Sequence, residues 1–156
     1  MFKRILIANR GEIAVRIIRT CQELGIEAVA VYSNVDSTSL HVQLADHAVC
    51  IGPAKAADSY LNMKNILSVA TALGCDAIHP GFGFLSENST FARLVEECGI
   101  TFIGPSGDVI DMMGNKSMAR QKMIEAGVPV VPGSDGSVNT LQEAKEAANQ
   151  IGYPVL

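Results

Sequence analysis

An α/β domain built on a doubly wound parallel sheet is the fold class predicted by three features of this sequence. Short β-branched runs alternate with longer stretches of helical periodicity, the pattern of successive βαβ units. Several of those runs are continuously apolar, as expected of strands covered on both faces. Three times a helical stretch ends at a glycine that leads directly into a strand, at Gly25, Gly74 and Gly99.

The strands are expected at RILIA (4 to 8), EAVAVY (27 to 32), HAVCI (47 to 51), CDAIH (75 to 79) and TFIG (101 to 104). Helices are expected over 12 to 24, 38 to 45, 63 to 73 and 90 to 97. In the first of them Ile13, Ile17 and Cys21, with Ala14, Ile18 and Leu24, form one apolar stripe at spacings of three and four. Gly25 can take the left-handed C′ position that stops the helix. After Pro105 the pattern changes: a short apolar turn, DVIDMM, precedes Gly114, and a helix over 116 to 126 is closed by Gly127. VPVVPGSDG then leads to a helix over TLQEAKEAANQIG, and YPVL reads as the opening of a strand. A boundary is expected between 105 and 114, dividing a domain over 1–110 from the start of another over 111–156.

Composition narrows the function. With 48% hydrophobic and 18% charged residues the chain can bury a core and is not of the disordered type. Its net charge is −4 and no stretch gathers basic residues with aromatics, which argues against nucleic acid as a partner. The apolar runs are strand-sized and the N-terminus has no extended apolar stretch, so neither membrane insertion nor export is expected and the reading is cytoplasmic. Cys21, Cys50, Cys75 and Cys98 lie far apart beside apolar residues, without C-x-x-C spacing, and read as buried free thiols. No metal-ligand set is visible.

In an open parallel sheet, ligands bind outside the carboxyl ends of the strands. The loops there are NRGE, SNVD, GPA, HPGFGFLSEN and GPS. Asn9-x-Gly11-x-x-Ala14 matches a dinucleotide fingerprint in part, but Asn9 replaces the first glycine and would crowd a pyrophosphate, so a tight turn into a helix is the better reading. In HPGFGFLSEN, Pro80 ends the strand, and Gly81 and Gly83 can expose N–H groups to an anion or carbonyl. Phe82 and Phe84 are apolar walls, and Ser86, Asn88 or Ser89 can cap the next helix. Alone, this loop could equally be a structural turn, and His79 a structural histidine. Lys116, a cation at a helix start, either points into water or faces a phosphate. Arg16, Arg19 and Glu23 share the outer face of the first helix, the latter two at ion-pair spacing.

The blocks ILIANRGEIAVRIIR, LADHAVCIGPA, SYLN, HPGFGFLSEN, FIGP, MMGNK and GVPVVPGSDG, in this order, resemble the N-terminal part of the biotin carboxylase family within the ATP-grasp superfamily. The likeness is strongest to the biotin carboxylase of bacterial acetyl-CoA carboxylase, which serves fatty acid synthesis. The resemblance implies a Rossmann-like pre-ATP-grasp domain followed by the first segment of an ATP-grasp domain. It implies an ATP-dependent ligase that activates bicarbonate and carboxylates biotin on a biotin carboxyl carrier protein, acting with carboxyltransferase subunits. By resemblance, Lys116 contacts ATP, and His79, Phe82 and Gly83 line the biotin and bicarbonate site. Arg16, Arg19 and Glu23 match a homodimer interface. Two positions depart from the family: Phe82 stands where Tyr is common, so a role for that hydroxyl does not carry over, and Asn115 stands where Asp is commoner. The magnesium ligands and the catalytic residues are expected beyond residue 156, so these residues alone are expected to be inactive. The other readings are the biotin carboxylase part of another acyl-CoA or pyruvate carboxylase, a stand-alone nucleotide-binding domain, and a non-catalytic association module.

Overall fold

A computed structural model describes residues 1–134 and 136–155. Five parallel strands, β1 (Arg4–Ile7), β2 (Glu27–Ser33), β3 (His47–Gly52), β4 (Ala77–His79) and β5 (Thr101–Phe102), form one sheet in the order β3-β2-β1-β4-β5. The order reverses between β1 and β4, the arrangement that opens a crevice at the carboxyl ends of the strands. The predicted α/β doubly wound class is therefore observed. Its helices are α1 (Gly11–Glu23), α2 (Leu40–Leu44), α3 (Met63–Ala72) and α4 (Ser89–Glu97), followed by α5 (Gly107–Gly114), α6 (Lys116–Glu125) and α7 (Leu141–Ile151).

Two apolar layers hold the sheet. Ile5, Ile7, Ala28 and Ala77 pack against Ala14, Ile18 and Cys21 of α1 on one face. Leu6, Val29, Val31 and Ile78 pack on the other against α3 and α4, through Ile66, Ala70, Phe91 and Val95. Alternate residues of β1 thus feed opposite layers, as the two-residue period of a strand requires. The rings of Phe91 and Phe102 meet edge to face at 6.1 Å. The glycines after α1, α3 and α4 have positive φ and close these helices as expected.

Several expectations need correction. DVIDMM is not a turn but lies in α5, whose first turn is held by the Ile110 N–H donating to the Ser106 carbonyl at 3.0 Å and by Ile110 entering the core. HAVCI is not covered on both faces. It is an edge strand paired with β2, and Ile51 is its one buried residue among the described residues. Cys50 and Cys98 are exposed, because one lies on that edge and the other just past the end of α4, while Cys21 and Cys75 are buried. TFIG contributes two strand residues, and Tyr153–Val155 do not open a strand; the last residue of that predicted strand, Leu156, lies outside the described residues. In the α1 stripe, Leu24 is exposed and Val15 is buried instead.

The chain divides into two compact units, 1–110 and 111–156. In the second, α6 and α7 are each well capped but bury no residue. Thr140 and Glu143 form a reciprocal capping box on α7.

Candidate functional site

The carboxyl ends of β1, β2 and β4 carry a polar cluster on an apolar base. Asn9, next to the end of β1, is buried, and its side chain reaches across to the loop after β4. Its Nδ2 donates to the Pro80 carbonyl at 2.8 Å and the Phe82 carbonyl at 2.9 Å, and its Oδ1 accepts from the Arg10 N–H at 2.9 Å. The turn into α1 has its positive φ at Gly11, not at Asn9. The side chain of Asn9 is thus buried and fully engaged by the loop after β4 and the Arg10 N–H, which favours the tight-turn reading of NRGE.

Beside it, Asp36 accepts from the Tyr60 and Ser33 hydroxyls, both at 2.7 Å, and faces the Arg10 guanidinium at 3.5 Å. The Tyr60 hydroxyl in turn accepts from the Ser33 N–H at 3.0 Å. Burial works to raise the Asp36 pKa, but the hydrogen bonds from Tyr60 and Ser33 and the Arg10 charge outweigh it and hold this carboxyl below the usual range. The Tyr60 phenol moves the other way, pushed up to about 12 by burial and by its hydrogen bond to Asp36. Arg10 lies 5.4 Å from the Tyr60 ring centre and 5.7 Å from that of Phe84, which are themselves stacked at 5.2 Å. Sequence reasoning missed this cluster. Its signals were scattered over SNVD, SYLN and NRG, and no local spacing connects them.

The HPGFGFLSEN loop sits on this base. Its two aromatics have separate fates: Phe84 stacks on Tyr60, whereas Phe82 is 76% exposed. Phe84 has a φ of +44°, uncommon for a side chain of its size, and the Tyr60–Arg10 stack holds it there. Among the described residues, the N–H groups of Phe82, Gly83 and Phe84 reach no protein acceptor, so three successive donors lie beside the exposed Phe82 ring. Of the three candidate caps, Asn88 caps α4, its Oδ1 accepting from the Phe91 N–H at 2.8 Å.

His79 is half-buried, and its Nδ1 accepts from the Gly81 N–H at 3.0 Å, so the remaining ring proton of the neutral form sits on Nε2. Burial holds its pKa below the usual histidine value. Its ring borders a cleft of about 290 Å3 together with Arg16, Ile17, Thr20 and Leu24 of α1. The structure therefore joins His79 to the Phe82–Gly83 loop through one hydrogen bond and to α1 through this cleft. Arg16 faces Glu12 at 3.9 Å, and all of Arg16, Arg19 and Glu23 are exposed. Among the described residues Arg19 and Glu23 form no ion pair, although their spacing would permit one.

In the second unit, Lys116 is the first residue of α6 and lines a cleft of about 550 Å3 with Ser117, Arg120 and Gly133. Arg120 is already engaged, donating to the Val131 carbonyl at 2.6 Å, which leaves Lys116 as the exposed cation beside the N-terminal N–H groups of α6. A lysine ammonium is a donor that suits phosphate oxygens. Asn115 is the N-cap of α6, its Oδ1 accepting from the Ser117 and Met118 N–H groups, both at 3.1 Å. Asp and Asn serve that role equally well. Among the described residues no three His, Cys, Asp or Glu side chains stand close enough to hold a metal ion.

Fold and loops together define a doubly wound α/β domain whose strand order reverses between β1 and β4, followed by a second compact unit. Residues 1–110 match the family model of the biotin carboxylase N-terminal domain, and residues 115–156 match that of the ATP binding domain of the carbamoyl-phosphate synthase L chain. The chain belongs to the biotin carboxylase family. It is 62% identical over its full length to biotin carboxylase 1 of Bacillus subtilis (strain 168), of which it covers 35%. Among solved structures, the biotin carboxylase–beta-gamma-ATP complex from Campylobacter jejuni superposes over 99% of this chain and 34% of its own, with a TM-score of 0.93 at 49% identity. The dimer of the biotin carboxylase domain of Hydrogenobacter thermophilus 2-oxoglutarate carboxylase, in complex with MgADP, ADP and bicarbonate, superposes with a TM-score of 0.91 at 55% identity. It too matches over 99% of this chain and 34% of its own. The chain thus spans about a third of the length of the relatives it matches.

Proposed function

We propose that these residues form the N-terminal part of an ATP-dependent biotin carboxylase, in which residues 1–110 supply one wall of the biotin and bicarbonate site and residues 111–156 begin the nucleotide-binding domain. The observation that carries this reading is the loop after β4. Three N–H groups, at Phe82, Gly83 and Phe84, have no protein acceptor among the described residues and belong to the same loop as an exposed aromatic ring. A ureido group offers a carbonyl oxygen to accept such N–H groups and a flat apolar rim to lie on such a ring, and a bicarbonate oxygen can use the same donors. Phe82 serves this role through its ring alone, without a hydroxyl.

In this reading the chain's own residues bind and orient. Lys116 offers its ammonium to the phosphates of ATP, in a cleft that Pro132 and Gly133 also line. ATP with magnesium supplies the phosphoryl group that activates bicarbonate. His79 stays neutral at pH 7 and keeps the Gly81 N–H occupied, which makes it a structural member of the loop. The exposed Arg16, Arg19 and Glu23 on α1 are the contact surface for a second copy. The substrate is biotin on a carrier protein, and carboxyltransferase subunits receive the product. Acetyl-CoA carboxylation in fatty acid synthesis, in the cytoplasm, is the assignment favoured by the LADHAVCIGPA and SYLN blocks. A relative from 2-oxoglutarate carboxylase keeps a 2-oxoacid acceptor as the alternative.

The nucleotide role of Lys116 is tested in an enzyme of the relatives' full length that carries these residues. Changing Lys116 to Ala is expected to raise the KM for ATP by about tenfold or more, with the KM for biotin little changed. An unaltered KM for ATP would remove Lys116 from the site.

A further inference from the structure

We infer that Asn9 is a positioning residue for the loop after β4, aiming the Gly83 N–H and the Phe82 ring outward; this rests on the biotin reading of that loop. Planar peptide bonds fix the geometry of this loop. In a trans peptide the C=O of one residue and the N–H of the next point in opposite directions. Asn9 Nδ2 draws the Phe82 carbonyl inward at 2.9 Å, so the Gly83 N–H must point away from Asn9. It draws the Pro80 carbonyl inward at 2.8 Å in the same way, and the Gly81 N–H on the far side of that peptide meets His79 Nδ1 at 3.0 Å. One side-chain amide therefore sets two peptide planes. Both of its protons are used, and its Oδ1 is held by the Arg10 N–H, so the amide has one fixed orientation.

The packing leaves no slack for another arrangement. Asn9 is 2% exposed, and a Cβ on Gly81 would lie 2.7 Å from its Nδ2 and 2.8 Å from Ile13 Cγ2. The glycine at 81, with a φ of +67°, is thus required by the close approach of Asn9 as well as by its backbone angles. Arg10 continues the same support, because its backbone N–H fixes Asn9 while its guanidinium lies over Tyr60 and Phe84. Asn9 is placed to act through Gly83 and Phe82 and would not touch the reacting atoms.

The test uses residues 1–156 grafted in place of the matching 35% of the Bacillus subtilis relative, with Asn9→Asp and Asn9→Ser made in that enzyme. Asn9→Asp removes both donors and sets carboxylate lone pairs against two carbonyls, whereas Asn9→Ser shortens the reach. Both are expected to raise the KM for biotin by about tenfold or more while changing the KM for ATP less than about twofold. A KM for biotin unchanged in both folded variants overturns the inference. So does equal loss for ATP and biotin, or failure of both variants to fold, since either makes Asn9 a residue of the fold in general. A parent graft that folds and binds ATP but does not respond to biotin contradicts the functional reading instead, and this arm separates the two failures.

Discussion

Single residues carry the chemistry here, and the buried polar ones set the pH response. His41 of α2 is 1% exposed, and neither ring nitrogen has a hydrogen-bond partner among the described residues. Burial holds its pKa below 6.5. The nearby Val31 carbonyl and the Asp36 charge oppose that shift, and Arg10 adds to it. The carbonyl favours the charged form without meeting hydrogen-bond geometry. His79 is shifted in the same direction by burial. In both cases the unfolded histidine takes its proton first as pH falls. The stability associated with the neutral rings is therefore complete above about pH 6.5 and is lost as pH falls through the lower folded values. Denaturant midpoints measured from pH 7.5 to 5 should decline, and His41→Leu should flatten that decline. A midpoint constant over this range in the parent would contradict the buried neutral state. None of this was legible in LHVQLAD, because whether a histidine is partnered depends on residues that only the fold brings near.

At the scale of elements, most of the sheet was legible and the caps less so. RILIA and EAVAVY announce themselves because β-branched and alanine side chains fill both layers, and Leu6, Val29, Val31 and Ala30 are all fully buried. HAVCI carries the same signal yet lies at an edge, since a run of apolar residues records strand propensity and not the number of neighbouring strands. DVIDMM looked like a turn because its few residues span barely two helical turns, too short a window for periodicity. The capping hydroxyl and carbonyl of Ser106 decide it locally. For α6 the decisive residue is Asn115, which satisfies two of the N–H groups that a helix start leaves open. Asn115→Ala should cost the second unit about 1 kcal/mol, whereas Asn115→Asp should be neutral. Amide exchange at Ser117 and Met118 reads this directly: faster exchange is expected in the Ala variant alone. Equal exchange in all three would deny the cap its role.

Over the whole molecule, two units of different character stand in sequence. Residues 1–110 have a two-layer core on an open parallel sheet, while the helices wholly within 111–156 bury no residue. The first unit presents its loop from a buried, hydrogen-bonded base. The second holds its cleft with caps and with the Arg120 contacts to the Val131 and Gly133 carbonyls. The loop itself was half legible. Its glycines and aromatics marked it as unusual, but the close approach that requires Gly81 comes from Asn9, about seventy residues earlier in the chain, and no local pattern reports a contact at that separation. The central claim is that this loop is a biotin-facing wall. The most direct measurement is biotin-dependent ADP release by the graft of residues 1–156 into the Bacillus subtilis relative, compared with the same graft carrying Phe82→Ala. The account predicts activity in the graft within about tenfold of the relative's own, and a Phe82→Ala enzyme whose KM for biotin rises while that for ATP holds. A graft that folds and binds ATP but does not respond to biotin, or a Phe82→Ala enzyme indistinguishable from its parent, would contradict it.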